Sequence, residues 1–568
     1  MQVSRDKGRG VAARGRSWAT LLVAALSCSL AASAIAADVT VLTAAKIHTM
    51  NPAQPRAQAL AFDSQGTILA VGNREALLAR FPDAARLDAG DATVVPGLID
   101  AHGHVAGLGL KAMRADVADT RSVEEVLQRL REFAADLPPG AWLLGRGWDQ
   151  NRWPGKRFPT AADLDAAFPD RPVWLERVDG HAGWGNSAAM AAVERDLGGD
   201  WQPDGGRIER DEQGRPTGVF IDSAMALVES AIPALDEATA TRALQLGMQS
   251  AVAHGLTGVH DAGVSLSQLR LYQNLADRGE LPLRITAMAD GVGQALDHLC
   301  SQGLQAHPSG RLQMRSVKLY VDGALGSRGA ALLEPYSDDA DNRGLLLMQP
   351  ATLAEVVAKA RDCGVQVATH AIGDRGNREV LSAYAGALGD RRDHRWRIEH
   401  AQVLAHEDLP RLAQLGVIAS MQPTHATSDM PWAEDRVGPQ RIVGAYAWRQ
   451  LRDSGARLAL GSDFPVESVD PRLGLYSAIM RTDNEGKPVG GWRAEEKLTA
   501  YEALRGFTLD AAYAGFAEEL VGSLEVGKRA DFVLLAQDPL AIDPAQLPTL
   551  SVQATYVDGQ AVYRAPAE

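Results

Sequence analysis

The chain has 568 residues, 46% of them hydrophobic and 23% charged, which is enough to bury the core of a large enzyme and too long for a small binding module. Its formal net charge is −14, with the charges spread along the chain instead of grouped in runs. An acidic, evenly charged surface argues against nucleic acid and anionic membranes as partners and leaves a small molecule as the expected one.

Residues 1–36 hold Arg5, Lys7, Arg9, Arg14 and Arg16 against Asp6 alone, followed by an apolar stretch from Trp18 to Ile35 and the small residues Ala34-Ile35-Ala36. This is the pattern of a cleaved secretory signal peptide, so the mature protein is expected to be exported, periplasmic or secreted. Cys28 offers lipid attachment as an alternative, weakened by Ala25 where a lipobox usually has leucine. Cleavage leaves 52 basic against 70 acidic side chains, a net charge of −18. No later stretch is apolar and long enough to span a bilayer.

Residues 38–95 read as short strands and turns, and residues 521–565 return to the same texture. Two β segments flanking a central unit can pair into one small sandwich. The central unit, residues 96–520, opens on the apolar run Val94 to Ile99, which leads into His102-Gly103-His104. Side chains two apart on a strand point the same way, so both imidazoles face one side, an arrangement that suits a divalent metal. An insertion over about 145–235 follows, with a β-hairpin in PDGGRIERDEQGRPTGVF whose turns fall at Asp204-Gly205-Gly206 and Glu212-Gln213-Gly214. It is expected to form a lobe over a pocket mouth. Trp142, Trp148, Trp153, Trp174, Trp184 and Trp201 hint that this mouth is aromatic, although tryptophans serve equally as packing residues.

Four further side chains that can serve a metal each end a short apolar run: Lys318 in RSVKLYVDG, His370 in GVQVATHAIGD, His400 in WRIEHAQ and Asp463 in ARLALGSDFPV. Helical stretches over 353–363, 377–388 and 408–415 supply the crossovers that parallel strands need. Strand and helix in repetition imply a (β/α)8 TIM-like barrel, which carries its chemistry at the C-terminal ends of its strands. Each residue also has a plainer reading: a hydrogen-bonded histidine, a Lys318 that snorkels or pairs with Asp322, a turn or cap role for Asp463. Their common place at strand ends favours the metal.

The motifs PGLIDAHGH, GRGWDQNRWP, DGHAGWGNSAA, GLTGVHDAG, VKLYVDGALGSRGA, THAIGDRGN, RIEHAQ, SMQPTHA, LALGSDFPV and GSLEVGKRADFVLL cover nearly all of residues 40–563. Through them the chain resembles the amidohydrolase superfamily, in its family 3 branch that includes N-substituted formamide deformylase. The resemblance implies that His102, His104, His370, His400 and Asp463 are metal ligands, that Lys318 bridges two metals, and that both termini build one β-sandwich. An ammonium has no lone pair, so Lys318 would serve only as an N6-carboxylated carbamate. Without that modification one metal on the histidines and Asp463 still activates water, and one or two metals per chain remain open. Zinc is the first expectation, with iron, manganese and cobalt compatible with the same donors.

Asp463 is the expected general base and then acid. His181, Trp148, Asp149, Arg328 and Asp374 are candidate substrate contacts, while His260, Asp261 and His425 read as pocket lining. The resulting expectation is an exported metal-dependent hydrolase of a carbon–nitrogen bond, amide or N-formyl in type. Alternatives are an ester or lactone hydrolase on the same site, a metal-dependent isomerase or decarboxylase, and a non-catalytic barrel scaffold with a regulatory role. Cys300 and Cys363 can pair in an oxidising compartment.

Overall fold

The computed structural model describes residues 39–566 except 136 and 139, so the expected leader over residues 1–36, with Cys28, lies outside the described residues. Eight strands run parallel in sequence order: β1 Leu98–Gly103, β2 Leu256–Val264, β3 Arg284–Asp290, β4 Leu312–Tyr320, β5 Gln366–Ala371, β6 Arg397–His400, β7 Ile418–Met421 and β8 Leu458–Leu460. Most of their residues are apolar because both faces are covered, the inner by the barrel interior and the outer by helices, with β6, Arg-Ile-Glu-His, the clear exception. Three of those helices, Pro350–Asp362, Asp374–Leu388 and Leu409–Leu415, fall where the sequence predicts crossovers.

The ring closes beyond the last residue of β8. Asp463 N–H donates to His102 O at 2.7 Å and His104 N–H donates to Phe464 O at 2.8 Å, which stitches the end of β8 to the end of β1. Closure therefore brings Asp463 beside both histidines of the His-Gly-His motif. The backbone at the rim is strained as well as closed: φ is 60° at Asp463, 73° at His400 and 43° at Ala401, in the left-handed region that non-glycine residues avoid.

Between β1 and β2 a six-stranded sheet forms the lobe, in the order Gly206–Arg210, Pro216–Asp222, Ala182–Gly185, Val173–Arg177, Leu143–Trp148, Ala115–Asp116. The hairpin expected from the turn residues is present, Gly206–Arg210 against Pro216–Asp222. The lobe begins earlier than the expected 145, because Ala115 and Asp116 pair in parallel with Gly145 and Arg146. The helix Val123–Ala134, capped by Ser122, makes the crossover. A two-residue strand carries no periodicity of its own and is visible only through its partner.

Both chain ends meet in one eight-stranded sheet, where Thr93–Pro96 pairs antiparallel with Phe532–Leu535. The sheet rolls over on itself. Phe62 and Phe532 stand three strands apart along the hydrogen-bonded path, roughly 14 Å if flat, yet their ring centroids are 6.1 Å apart. Arg284, at the start of β3, ties the roll to the barrel floor with bonds of 2.8 and 2.8 Å to Asp531 and 2.6 Å to Asp558. Cys300 and Cys363 are joined in a disulfide.

Candidate metal centre

His102 is wholly buried, and its Nδ1–H donates to the Glu399 carboxylate. That bond fixes the tautomer and leaves the Nε2 lone pair facing Lys318 Nζ at 3.0 Å and Asp463 Oδ1 at 3.5 Å. His104 repeats the device: Nδ1–H donates to Ala262 O at 2.9 Å, and Nε2 lies 3.0 Å from Asp463 Oδ1. In His400 the Nδ1–H donates to Gln422 Oε1 at 2.8 Å. Three imidazoles thus have Nδ1 committed as donor and Nε2 left as the lone-pair nitrogen, which in His102 accepts from Lys318, and this is how a neutral histidine is prepared for a cation. Ligand atoms on a tetrahedral ion with bonds of about 2.0–2.1 Å stand roughly 3.3 Å apart, and the separations from Asp463 Oδ1, 3.0 and 3.5 Å, straddle that value.

The charges agree with the geometry. Burial, reinforced by the Lys318 charge, pulls His102 down to about 4, so its imidazole is neutral. Burial likewise holds His370 and His400 well below the usual histidine range. Lys318 is 1% exposed and burial pushes it down to about 8, toward the neutral amine whose lone pair can attack carbon dioxide. It does not pair with Asp322, whose carboxylate instead accepts the backbone N–H groups of Ala331, Ile372 and Gly373 at 2.8–2.9 Å. His370 stands with its ring 4.6 Å from that of His400, its buried Nε2 unpartnered and 3.6 Å from Asp322 Oδ1.

All six predicted metal-site side chains line one cavity of about 2020 Å³. Of the expected substrate contacts, His181 and Asp149 line it too. His181 Nδ1–H donates to Asp222 at 2.6 Å, while Asp149 is held in an ion pair by the buried Arg177. The other three do not line the cavity. Trp148 is fully buried in the lobe, its Nε1–H donating to Leu175 O at 2.8 Å. Arg328 forks onto Asp338 at 3.2 and 2.9 Å. Asp374 opens the helix Asp374–Leu388 and accepts Leu333 N–H at 2.8 Å.

The aromatic mouth is corrected in the same way. None of the six lobe tryptophans lines the cavity, whereas Trp432, in the segment between β7 and β8, does. Asp261 and His425 line the cavity as expected, but His260 lies beneath it and its Nδ1 accepts an Arg397 N–H at 2.8 Å. Sequence reasoning missed Glu399 and Arg397, which sit under His102 as a buried pair, Arg397 donating to both Glu399 oxygens. Burial works against the Glu399 charge, and Arg397 and His102 hold that carboxyl well below its usual range. The signal was the R-x-E spacing in RIEH, which puts both side chains on one face of β6. His400, the next residue, reaches the same side only because its backbone turns left-handed.

Residues 86–563 match the model of the amidohydrolase family. The chain belongs to that family. It is 35% identical to the Bacillus subtilis (strain 168) protein YtcJ, whose name assigns it to the amidohydrolases, over 91% of this chain and 98% of that protein. It is 31% identical to the N-substituted formamide deformylase of Arthrobacter pascens over 91% of this chain and 96% of that enzyme. An uncharacterized metal-dependent hydrolase from Pyrococcus horikoshii OT3 superposes with a TM-score of 0.73 at 28% identity, covering 89% of this chain and 99% of that one. As an amidohydrolase the chain is a metal-dependent hydrolase with a small-molecule substrate, and its donor set fits a divalent cation. No helix among the described residues is long and apolar enough to cross a membrane.

Proposed function

We propose that this amidohydrolase is exported and hydrolyses an amide or N-formyl carbon–nitrogen bond. The observation that carries the reading is the set of three imidazoles whose Nδ1 atoms are committed as donors, leaving Nε2 as the lone-pair nitrogen, grouped around the Asp463 carboxylate. A divalent cation, zinc in the first instance, would be held by His102, His104, His370, His400 and Asp463, with Lys318 joining once carboxylated. When bound it supplies a water of lowered pKa and polarises the scissile carbonyl.

The chain's own residues do the rest. Asp463 takes the proton of the attacking water and returns it to the leaving nitrogen, which departs poorly as an anion. The lobe walls the cavity and limits bulk water, while His181, held by Asp222, is free to meet the substrate through Nε2. The formamide deformylase among the relatives supports the choice of bond, and the Cys300–Cys363 disulfide supports export, since such bonds persist in oxidising compartments.

The test is turnover of N-formyl and N-acyl compounds by the purified mature protein in heavy-oxygen water. The expected result is one heavy oxygen in the released acid, activity lost on chelation and regained with zinc. Turnover of esters or lactones alone, or none with metal loaded, overturns the assignment of the bond.

A further inference from the structure

Asp463 has two carboxylate oxygens, and they face different side chains. Oδ1 faces His102 and His104, at 3.5 and 3.0 Å from their Nε2 atoms. Oδ2 turns the other way, to His425 Nε2 at 3.7 Å. His425 stands in the helix Pro423–Asp429 directly after β7, the strand from which the motif reading draws no ligand. Its ring stacks on His400, centroids 5.8 Å apart and planes 19° from parallel. The ligand atoms of His400, His425 and Asp463 all lie within 4.8 Å of one another, as those of His102, His104 and Asp463 do.

The His425 Nε2 atom is buried and has no hydrogen-bond partner. A buried ring nitrogen left so is costly unless something else occupies the space in front of it. What faces it is a carboxylate oxygen and a second imidazole, donors that share no proton with it and that together suit a cation. The 3.7 Å separation is within a few tenths of an ångström of the roughly 3.3 Å between ligand atoms on a tetrahedral ion.

We infer that His425 is a metal ligand, so that Asp463 bridges two cation pockets, one completed through Oδ1 by His102 and His104 and the other through Oδ2 by His400 and His425. The inference rests on the metal-dependent reading of this site and adds a donor to it. The second pocket then takes a divalent cation through a carboxylate and two imidazoles, whether or not Lys318 is carboxylated. Its charge comes from Asp463.

The test is zinc titration of the chelator-stripped protein against a competing chromophoric chelator, for the wild type, H425A and H425C, with circular dichroism as the check on folding. Two equivalents are expected in the wild type, and in H425A one equivalent or a second held at least tenfold more weakly. H425C should regain the second, and its cobalt(II) form should show a thiolate-to-cobalt absorption absent from the wild type. Wild type that binds zinc and H425A that binds the same number with the same affinity overturn the assignment of His425 alone. A rise in KM in that same variant would make His425 a substrate contact. Wild type that takes up no zinc overturns the metal-dependent reading itself. Should H425A lose its fold, the cobalt spectrum of H425C decides: no thiolate band means no ligand at 425.

Discussion

The histidine shell at the barrel mouth and the tryptophan cluster in the lobe are both buried groups of aromatic rings carrying ring nitrogens, yet they treat those nitrogens in opposite ways. In the lobe, Trp148, Trp153 and Trp184 pack at centroid distances of 6.1–6.3 Å, and each indole N–H donates to a backbone carbonyl, at 2.8, 3.0 and 2.8 Å. At the mouth, His370 Nε2, His425 Nε2 and Asp463 Oδ1 are buried with no hydrogen bond, all bordering one cavity. A packing cluster closes its polar accounts internally, whereas a binding cluster leaves several converging atoms open. Ring content alone does not tell the two apart.

The largest effect expected from that contrast is on the open side. D463N keeps the shape of the site but removes the group that takes and returns the proton, so kcat should fall by about 10²–10⁴-fold, measured with metal loading checked in the same sample. A variant with undiminished kcat would remove Asp463 from the chemistry. E399Q should act on both metal and fold. Losing the carboxylate that orients His102 should weaken metal affinity roughly 10–100-fold, and leaving Arg397 buried without its charge partner should cost about 3–5 kcal/mol in urea unfolding.

W148A breaks the closed side: about 3–5 kcal/mol of stability should be lost while zinc uptake stays as in the wild type. A change in stoichiometry there would show that the two clusters are one unit. R328A should do least, within about 0.5 kcal/mol of stability and with kcat/KM unchanged, since its guanidinium is spent on Asp338 outside the cavity.

The barrel was legible because its strands are apolar runs ending in unusual residues, and a ligand at a strand end needs only the right strand boundary to be found. His102, His104, Lys318, His370, His400 and Asp463 all reach the cavity on that basis. Contacts that depend on which way a loop residue turns were not legible. Arg328 and Asp374 follow ligand strands directly, but each is captured by a partner that the sequence does not put nearby, Asp338 and the Leu333 amide. Trp148 and Asp149 are neighbours at the end of one lobe strand, where alternation sends one into the core and the other to the cavity. Glu399 and Arg397 were not legible either, because their pairing beneath His102 depends on strands β1 and β6 that are far apart in the chain.

The rolled sheet built from both ends of the chain bears on the order in which the molecule is made. Thr93–Pro96 leaves the ribosome before the barrel, but its antiparallel neighbour Phe532–Leu535 and the strand beyond it, Val552–Val557, only after it. Throughout synthesis the N-terminal half-sheet presents an open, apolar edge, the kind of surface on which chains pair wrongly with one another. The early half of this sheet is therefore finished only after the barrel has been made, and a premature stop before Phe532 leaves that edge open for good.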